Sequence, residues 1–498
     1  MAMNNIIKNI YKLQDEGQHN LAINYGESEL NFVKDKLSKG YIYKALTTSY
    51  YELAQDDKFI HACNLAVAYM PREEWKERLR VWGGMLFAMH YSNYYSDSQL
   101  ARKHFMSQKI IDHIIPIYTK EKIKEWSIIR KNKNNKIKIG YISQDFVCHV
   151  NMSFSIHLLD SYNRNDFEVY CYMMNRNQDA ISEYIRSQVD NCEIVGISDP
   201  EAIAKQIYED EIDILFDISV HAGNSRTLSV IAYKPAPIII AGIGYMSTSG
   251  IKNIDYFLTD VNCDPEGMGD DLFSEKLLRL PYSHFCYKSV LAFDKYEVNK
   301  KIHNPIHFGS LNNYRKLNNE TLKVWYNIME RIPDSKLILQ STGTELLKNA
   351  LIEKMLKIGF DMTRIEMRSP SNKYLASYHD IDIALDTYPY MGGVTTCDAL
   401  YMGVPVITLC GTRHGTRFGY SIMKNIGLET LVADSWQNYE DMAVTLAENV
   451  EVLEELHCTI REMMCNSPLM DKKIYVNSVE NKYKEVFQEI LNNKGNFI

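Results

Sequence analysis

The chain has no CxxC pair. Its ten cysteines are scattered, from Cys63 to Cys465, which argues against a zinc ribbon or a disulfide scaffold and for a reduced, cytoplasmic protein. It has no run of about 18 apolar residues, so no membrane span is expected. The opening MAMNNIIKNIYKLQDEGQHN is polar and amphipathic and lacks a secretory signal core. Positive charge is not in excess: 55 Lys and Arg stand against 63 Asp and Glu, a net charge of −8, so no nucleic acid is expected as a general partner. What the chain does have is 498 residues, 46% of them hydrophobic, enough for about three domains with cores of their own. Its 34 tyrosines are expected to sit mostly half-buried on helix and strand faces.

Residues 1–125 read as helical throughout. IIKNIYKL, LAINYGESELNFVKDKL, YIYKALTTSYYELA and FIHACNLAVAYM carry helical spacing. LAINYGESEL and FIHACNLAVAYMP read as second helices of two helix pairs, a degenerate tetratricopeptide-like pattern. Such a region serves either as a short peptide groove or as a packing layer. EKIKEWSIIRKNKNNK (121–136) reads as a basic linker. From KIKIGYIS onward, strands alternate with helices: FEVYCYMM, CEIVGI (192–197), IDILFDI, PIIIAGIGY and IDYFLTD, then IHFGSL, KLILQS and RIEMRS. Alternation of this kind predicts parallel, doubly wound sheets. The expected division is 134–300 and 301–470 as two Rossmann-like halves, a hinge near 286–305, and a last helix in 471–498.

The most informative stretch is IDIALDTYPYMGGVTTCDALYMGVPVITLCG (381–411). Ile381 to Leu385 reads as a buried strand, and Gly392 and Gly393 as a tight turn. Thr395 and Thr396 stand where a helix begins, with Asp398 in its first turn. A helix start with free N–H groups attracts phosphate; an ordinary βαβ unit with a threonine cap fits the local pattern as well. Two α/β halves facing a cleft suggest a GT-B-type nucleotide-sugar transferase. Dehydrogenases share that plan, but no GxGxxG follows either first strand.

Several ordered blocks sharpen this reading: YYSDSQLARKHF (94–105), GYISQDFVCHV, YKPAPIIIAGIGYMSTSG, IDYFLTD, FGSLNNYRKLNNETLKVW, LDTYPYMGGVTTCDALYMGVPV and CNSPLMD. Together they resemble the protein O-linked N-acetylglucosaminyltransferase and SPINDLY family, and NNYRK, YPYMGG and TTCDALYMGVP resemble its SPINDLY branch. The resemblance implies an α/β chain of GT-B type, a pair of Rossmann-like domains preceded by the helical region. It implies inverting, metal-independent transfer from a nucleotide-sugar to a protein or peptide acceptor, with no cofactor. UDP-N-acetylglucosamine is the first donor expected, GDP-fucose the second and UDP-glucose the third. Transfer to Asn rather than Ser or Thr is an alternative, and so is a non-catalytic relative that binds a partner. No DxD motif stands out in the cleft-facing segments, which agrees with metal independence.

Residue by residue, the resemblance places Lys316 on the leaving diphosphate, where a cation offsets developing charge. Gly393, Thr395 and Thr396 would cap the diphosphate, with Asn313 beside them. Asp398 would lie near the ribose or the lysine. His149 would act as general base or as a positioning group, and Asp145 would orient it. His221 would stand near the donor, and Arg417 would hold the phosphate side. Tyr374 falls near the base, in a segment that matches the family poorly. Tyr245 and Thr248, in a GY–TSG loop where Met246 replaces the family's proline, would face the cleft on the acceptor side.

Overall fold

The computed structural model describes residues 2–131, 135–196, 198–289, 297–298, 301–371 and 373–492. Two wholly parallel sheets organise it. The first contains β1 (Ile137–Ser143), β2 (Phe167–Met173), β3 (Asn191–Ile194), β4 (Ile214–Asp217), β5 (Ile238–Gly242), β6 (Tyr256–Asp260) and β7 (Lys276–Leu280), in the order β3-β2-β1-β4-β5-β6-β7. The second contains β8 (His307–Ser310), β9 (Lys336–Gln340), β10 (Ile365–Arg368), β11 (Ile383–Leu385), β12 (Val406–Leu409) and β13 (Val432–Ala433), in the order β10-β9-β8-β11-β12-β13.

The central strands are apolar on both faces because helices cover both sides. Every residue of β4, β5 and β6 is buried. Register is set at the centre, where Ile139 of β1 pairs with Val169 of β2 on one side and Ile214 of β4 on the other. In each sheet the strand order reverses beside its first strand, between β1 and β4 and between β8 and β11. Ligands bind at the carboxyl ends of strands at such switch points.

The N-terminal helices run in antiparallel pairs: Ala2–Asp15 with His19–Phe32, then Lys36–Glu52 with Asp56–Tyr69. LAINYGESEL and FIHACNLAVAYM are indeed the second helices. Gly26 permits close approach, since a Cβ there would lie 2.6 Å from Leu46 Cδ2. Helices Trp75–Met89 and Asp97–Phe105 follow, the latter closed by a capping box of Ser96 and Gln99.

Residues 121–136 are not a linker as far as they are described. Lys120–Lys131 is a helix whose Ile123, Ser127 and Arg130 form one buried face. Arg130 grips the Asp213 carboxylate through Nε and Nη2, each at 2.9 Å. Polar composition hid this face because only three positions turn inward. The expected hinge at 286–305 falls largely on residues 290–296 and 299–300, outside the described residues, as does residue 197 of the expected strand 192–197. Two strands had no clear sequence signal. β7 is flanked by charge (KLLRL) and half-exposed at the sheet edge, and β13 is two residues long.

The last helix, Lys472–Asn492, returns to the first half. Its Tyr483 hydroxyl lies 3.1 Å from that of Tyr141 in β1, Glu480 accepts the Asn163 N–H at 2.6 Å, and Phe487 packs on Trp126. Among the described residues no helix is long and apolar enough to cross a membrane.

Candidate active site

Four loops leave the carboxyl ends of the strands at the two switch points: 144–151 after β1, 218–225 after β4, 311–318 after β8 and 386–393 after β11. The last two build a polar cluster. Lys316 closes a short 3-10 turn, Tyr314–Lys316, started by Asn313, whose side chain accepts from Arg315 N–H. The Lys316 ammonium donates to Asn312 Oδ1 at 3.0 Å and to the Met391 carbonyl at 2.9 Å, and sits 4.3 Å from the centre of the Tyr390 ring. Thr395 donates its hydroxyl to the same Asn312 Oδ1 at 3.0 Å. Burial lowers the Lys316 pKa to about 8, against the opposing charge of Asp386. Among the described residues no carboxylate is bonded to this ammonium.

The turn after β11 is shaped by Asp386. Its carboxylate accepts from Gly392 N–H (2.7 Å), Thr387 N–H (2.9 Å) and the Thr408 hydroxyl (2.8 Å); burial raises it to about 6. The helix that follows is Val394–Tyr401, and its N-cap is Gly393, not a threonine. Thr395 and Thr396 lie inside the first turn, and Asp398 lies one turn further in, buried. Asp398 accepts from the Tyr287 hydroxyl at 2.6 Å and from the Tyr374 hydroxyl. Burial raises its carboxyl to about 7, and the two hydroxyls oppose that rise.

Gly392 leaves no room for a side chain: a Cβ would lie 2.4 Å from Thr396 Oγ1, 2.8 Å from Thr395 Oγ1 and 2.9 Å from Asp386 Oδ1. Gly392→Val is therefore expected to weaken nucleoside diphosphate binding at least tenfold, read by calorimetry, because both threonines and the Asp386 anchor must shift. Unchanged affinity would separate this turn from the ligand.

Across the cleft, Asp145 is buried and accepts from Asn151 Nδ2 at 2.6 Å. Its other oxygen lies 3.6 Å from His149 Nδ1, a nitrogen that the Asn151 N–H also approaches at 3.3 Å. The His149 side chain is 43% exposed. The helix Met152–Asp160 brings Phe154 against the second half, where a Cβ on Gly393 would lie 3.3 Å from its ring.

The structure thus brings together Lys316, Thr395, Thr396 and Gly393, and separately Asp398 with Tyr374, and Asp145 with His149. It places five other expected site residues elsewhere. Asn313 is exposed and occupied as a turn cap; its neighbour Asn312 faces Lys316 instead. Arg417 is a strut between the halves, donating Nε to the Asn262 carbonyl at 2.9 Å and Nη1 to the Gly411 carbonyl at 3.0 Å. Tyr245 is 1% exposed and donates to His104 Nε2 at 2.7 Å. Thr248 is fully buried on Glu275 at 2.6 Å. Neither faces the cleft.

His221 donates Nε2–H to the Ser249 carbonyl at 2.7 Å and packs under Gly83 of the helical region. Burial, with His104 beside it, drops its pKa to about 3, so it stays neutral. It lines a cavity of about 350 Å³ between the helical region and the first half, with Thr47, Tyr51, Arg80 and Phe87. Asn312, Asn151 and Asp386 escaped the sequence reading. Only Asp386, next to a strand end and six residues before Gly392, carried a local signal.

Two Rossmann-like halves, with a lysine-bearing turn at the second switch point and a carboxylate–histidine pair at the first, have the plan of the GT-B-type glycosyltransferases. The chain belongs to glycosyl transferase family 41, whose model matches residues 85–302 and 289–479. It is 31% identical over 414 residues to the probable UDP-N-acetylglucosamine–peptide N-acetylglucosaminyltransferase SPINDLY of Solanum lycopersicum, covering 81% of this chain and 44% of that protein. The probable transferase SEC of Arabidopsis thaliana is 29% identical over 370 residues, covering 71% and 37%. The chain therefore spans less than half the length of these curated relatives. A solved variant of Thermobaculum terrenum O-GlcNAc transferase shares the fold, with a TM-score of 0.75 at 23% identity over 99% of this chain and 98% of that one.

Proposed function

We propose that this chain transfers N-acetylglucosamine from UDP-N-acetylglucosamine to Ser or Thr hydroxyls of a protein, with inversion and without a metal. The observation that carries the reading is the Lys316–Asn312–Thr395 cluster at the β8/β11 switch point. The acceptor oxygen attacks the anomeric carbon as the bond to the diphosphate oxygen breaks. The electron pair leaves with the diphosphate, where Lys316 and the N–H groups of the helix start at Val394 meet the growing charge. His149 takes the acceptor proton, and the buried Asp145 carboxylate lies behind its Nδ1 as an orienting group. Their 3.6 Å separation is long for a hydrogen bond, and such contacts tighten on substrate binding. Asp398 with Tyr374 is assigned to the nucleoside side of the same cleft. The names of the SPINDLY and SEC relatives support both donor and acceptor class.

The test is incubation of the chain with UDP-N-acetylglucosamine, GDP-fucose or UDP-glucose and a protein mixture from its host, followed by site mapping. An N-acetylhexosamine increment on Ser or Thr is expected. Transfer from GDP-fucose instead would reassign the donor, modified Asn would reassign the acceptor, and no transfer from any donor would overturn the enzyme reading. His149→Ala is expected to lower kcat by about 10²-fold while leaving donor KM within about twofold, as loss of a general base requires. A rise in donor KM without a fall in kcat would contradict the role given to His149.

A further inference from the structure

We propose that the helical region holds the Lys316 turn in its diphosphate-gripping geometry, with Arg315 and Asp56 as positioning residues; this rests on the donor site assigned above. Arg315 is the residue just before Lys316, yet its side chain points out of the second half into the helical region. It is 1% exposed. Nη1 donates to the Tyr51 carbonyl at 2.5 Å, and Nη2 donates to the Asp56 carboxylate. The guanidinium lies 3.8 Å from the centre of the Tyr51 ring and 5.3 Å from that of Tyr91. Tyr51 lies one residue before the end of one helix of the second pair and Asp56 begins the next, so Arg315 closes the loop between them.

The other face of the turn leans on the same region. Tyr390, beneath the Lys316 ammonium, packs on Tyr91 at 5.5 Å and on Phe87 at 5.7 Å. Asn318, two residues after Lys316, donates to the Tyr91 carbonyl at 3.2 Å and the Tyr388 carbonyl at 2.7 Å. The Lys316 turn has few bonds of its own: the Lys316, Leu317 and Asn318 N–H groups close only on Asn313, Tyr314 and Lys316 carbonyls. A three-residue turn of that kind is a weak structure alone. Its geometry is set by what clamps it on either side, and a guanidinium that donates to two acceptors and lies against the Tyr51 and Tyr91 rings is a planar, preorganised clamp.

The experiment compares wild type with Asp56→Ala, Asp56→Glu and Arg315→Met in the full chain. Hydrogen exchange without ligand is followed for peptides spanning 312–318, with β12 as the control. Calorimetry then measures UDP against uridine, and GDP against guanosine. Asp56→Ala and Arg315→Met are expected to speed exchange in 312–318 while β12 is unchanged. They are expected to weaken the nucleoside diphosphate about tenfold, the weight of one charged hydrogen bond, and to leave the nucleoside as in wild type. Asp56→Glu restores both. Unchanged exchange in 312–318, or equal losses for nucleoside and diphosphate, would overturn the brace. If the wild type bound neither nucleotide, the proposed donor site would fall, and the exchange result would still judge the brace by itself.

Discussion

Lys316→Met is expected to lower sugar transfer by about 10²–10³-fold, the range for loss of one preorganised group that stabilises transition-state charge. The fold should survive. The methionine spans a similar volume, Thr395 still satisfies Asn312 Oδ1, and loss of the two ammonium hydrogen bonds is offset by removal of a buried charge. A melting temperature within a few degrees of wild type checks this. The lysine also sets a pH limb. Its folded pKa, about 8, lies below the ordinary 10.5 because burial disfavours the cation. The protonated form, the one proposed to bind the diphosphate, therefore prevails below pH 8 and is lost above it. The kcat/KM for donor should fall as pH rises through about 8, and Lys316→Arg should remove that limb while keeping part of the activity. The same depression opposes folding below about pH 8 and is relieved between 8 and 10.5, so removing the lysine carries no alkaline stability loss. Transfer by Lys316→Met at the wild-type rate would contradict the assignment.

The second large effect concerns how the halves are joined. Asp260→Ala is expected to destabilise the protein by about 3–5 kcal/mol, as removal of one member of a buried charged network does. Asp260 ends β6 and is fully buried. One carboxylate oxygen accepts from Asn262 and Cys263 N–H groups, each at 2.8 Å. The other accepts from His284 N–H (2.9 Å), His284 Nδ1–H (2.5 Å) and the Ser421 hydroxyl (3.0 Å). Ser421 belongs to the helix Phe418–Ile426 of the second half, so the carboxylate ties both halves together. Burial alone would raise the Asp260 pKa; the His284 hydrogen bonds and charge overcome it and hold it at about 2, below the ordinary 3.8. Its stabilisation is complete above about pH 4 and is lost as pH falls toward 2. Melting curves of wild type and Asp260→Ala should approach each other over that interval, by the part of the difference that depends on the charge. Equal melting temperatures at pH 7 would remove this role.

The order of strands and helices was legible because buried parallel strands announce themselves as short apolar runs, as IDILFDI and PIIIAGIGY do. The glycine turn before Val394 was legible for a local reason, two adjacent glycines; what Gly392 supplies there is close approach to Thr395, Thr396 and Asp386. Side-chain direction was not. Asn312 and Asn313 are adjacent and chemically identical; the chain's exit from β8 aims the first at Lys316 and spends the second as a turn cap. Tyr245 and Thr248 lie in a loop that reads as cleft-facing. Their partners, His104 and Glu275, come from remote segments and pull both side chains inward. Nothing local singled out Arg315, because its partners stand more than 250 residues earlier. The helix at Lys120–Lys131 read as a linker since its buried face contains just one aliphatic residue.

Calorimetric titration of UDP and GDP into wild type, Lys316→Met and His149→Ala tests the central claim that the second half grips the donor diphosphate. Wild type is expected to bind one nucleotide saturably, Lys316→Met to bind it at least tenfold more weakly, and His149→Ala to retain binding. Equal affinity in wild type and Lys316→Met, or loss of binding in His149→Ala alone, would contradict that claim.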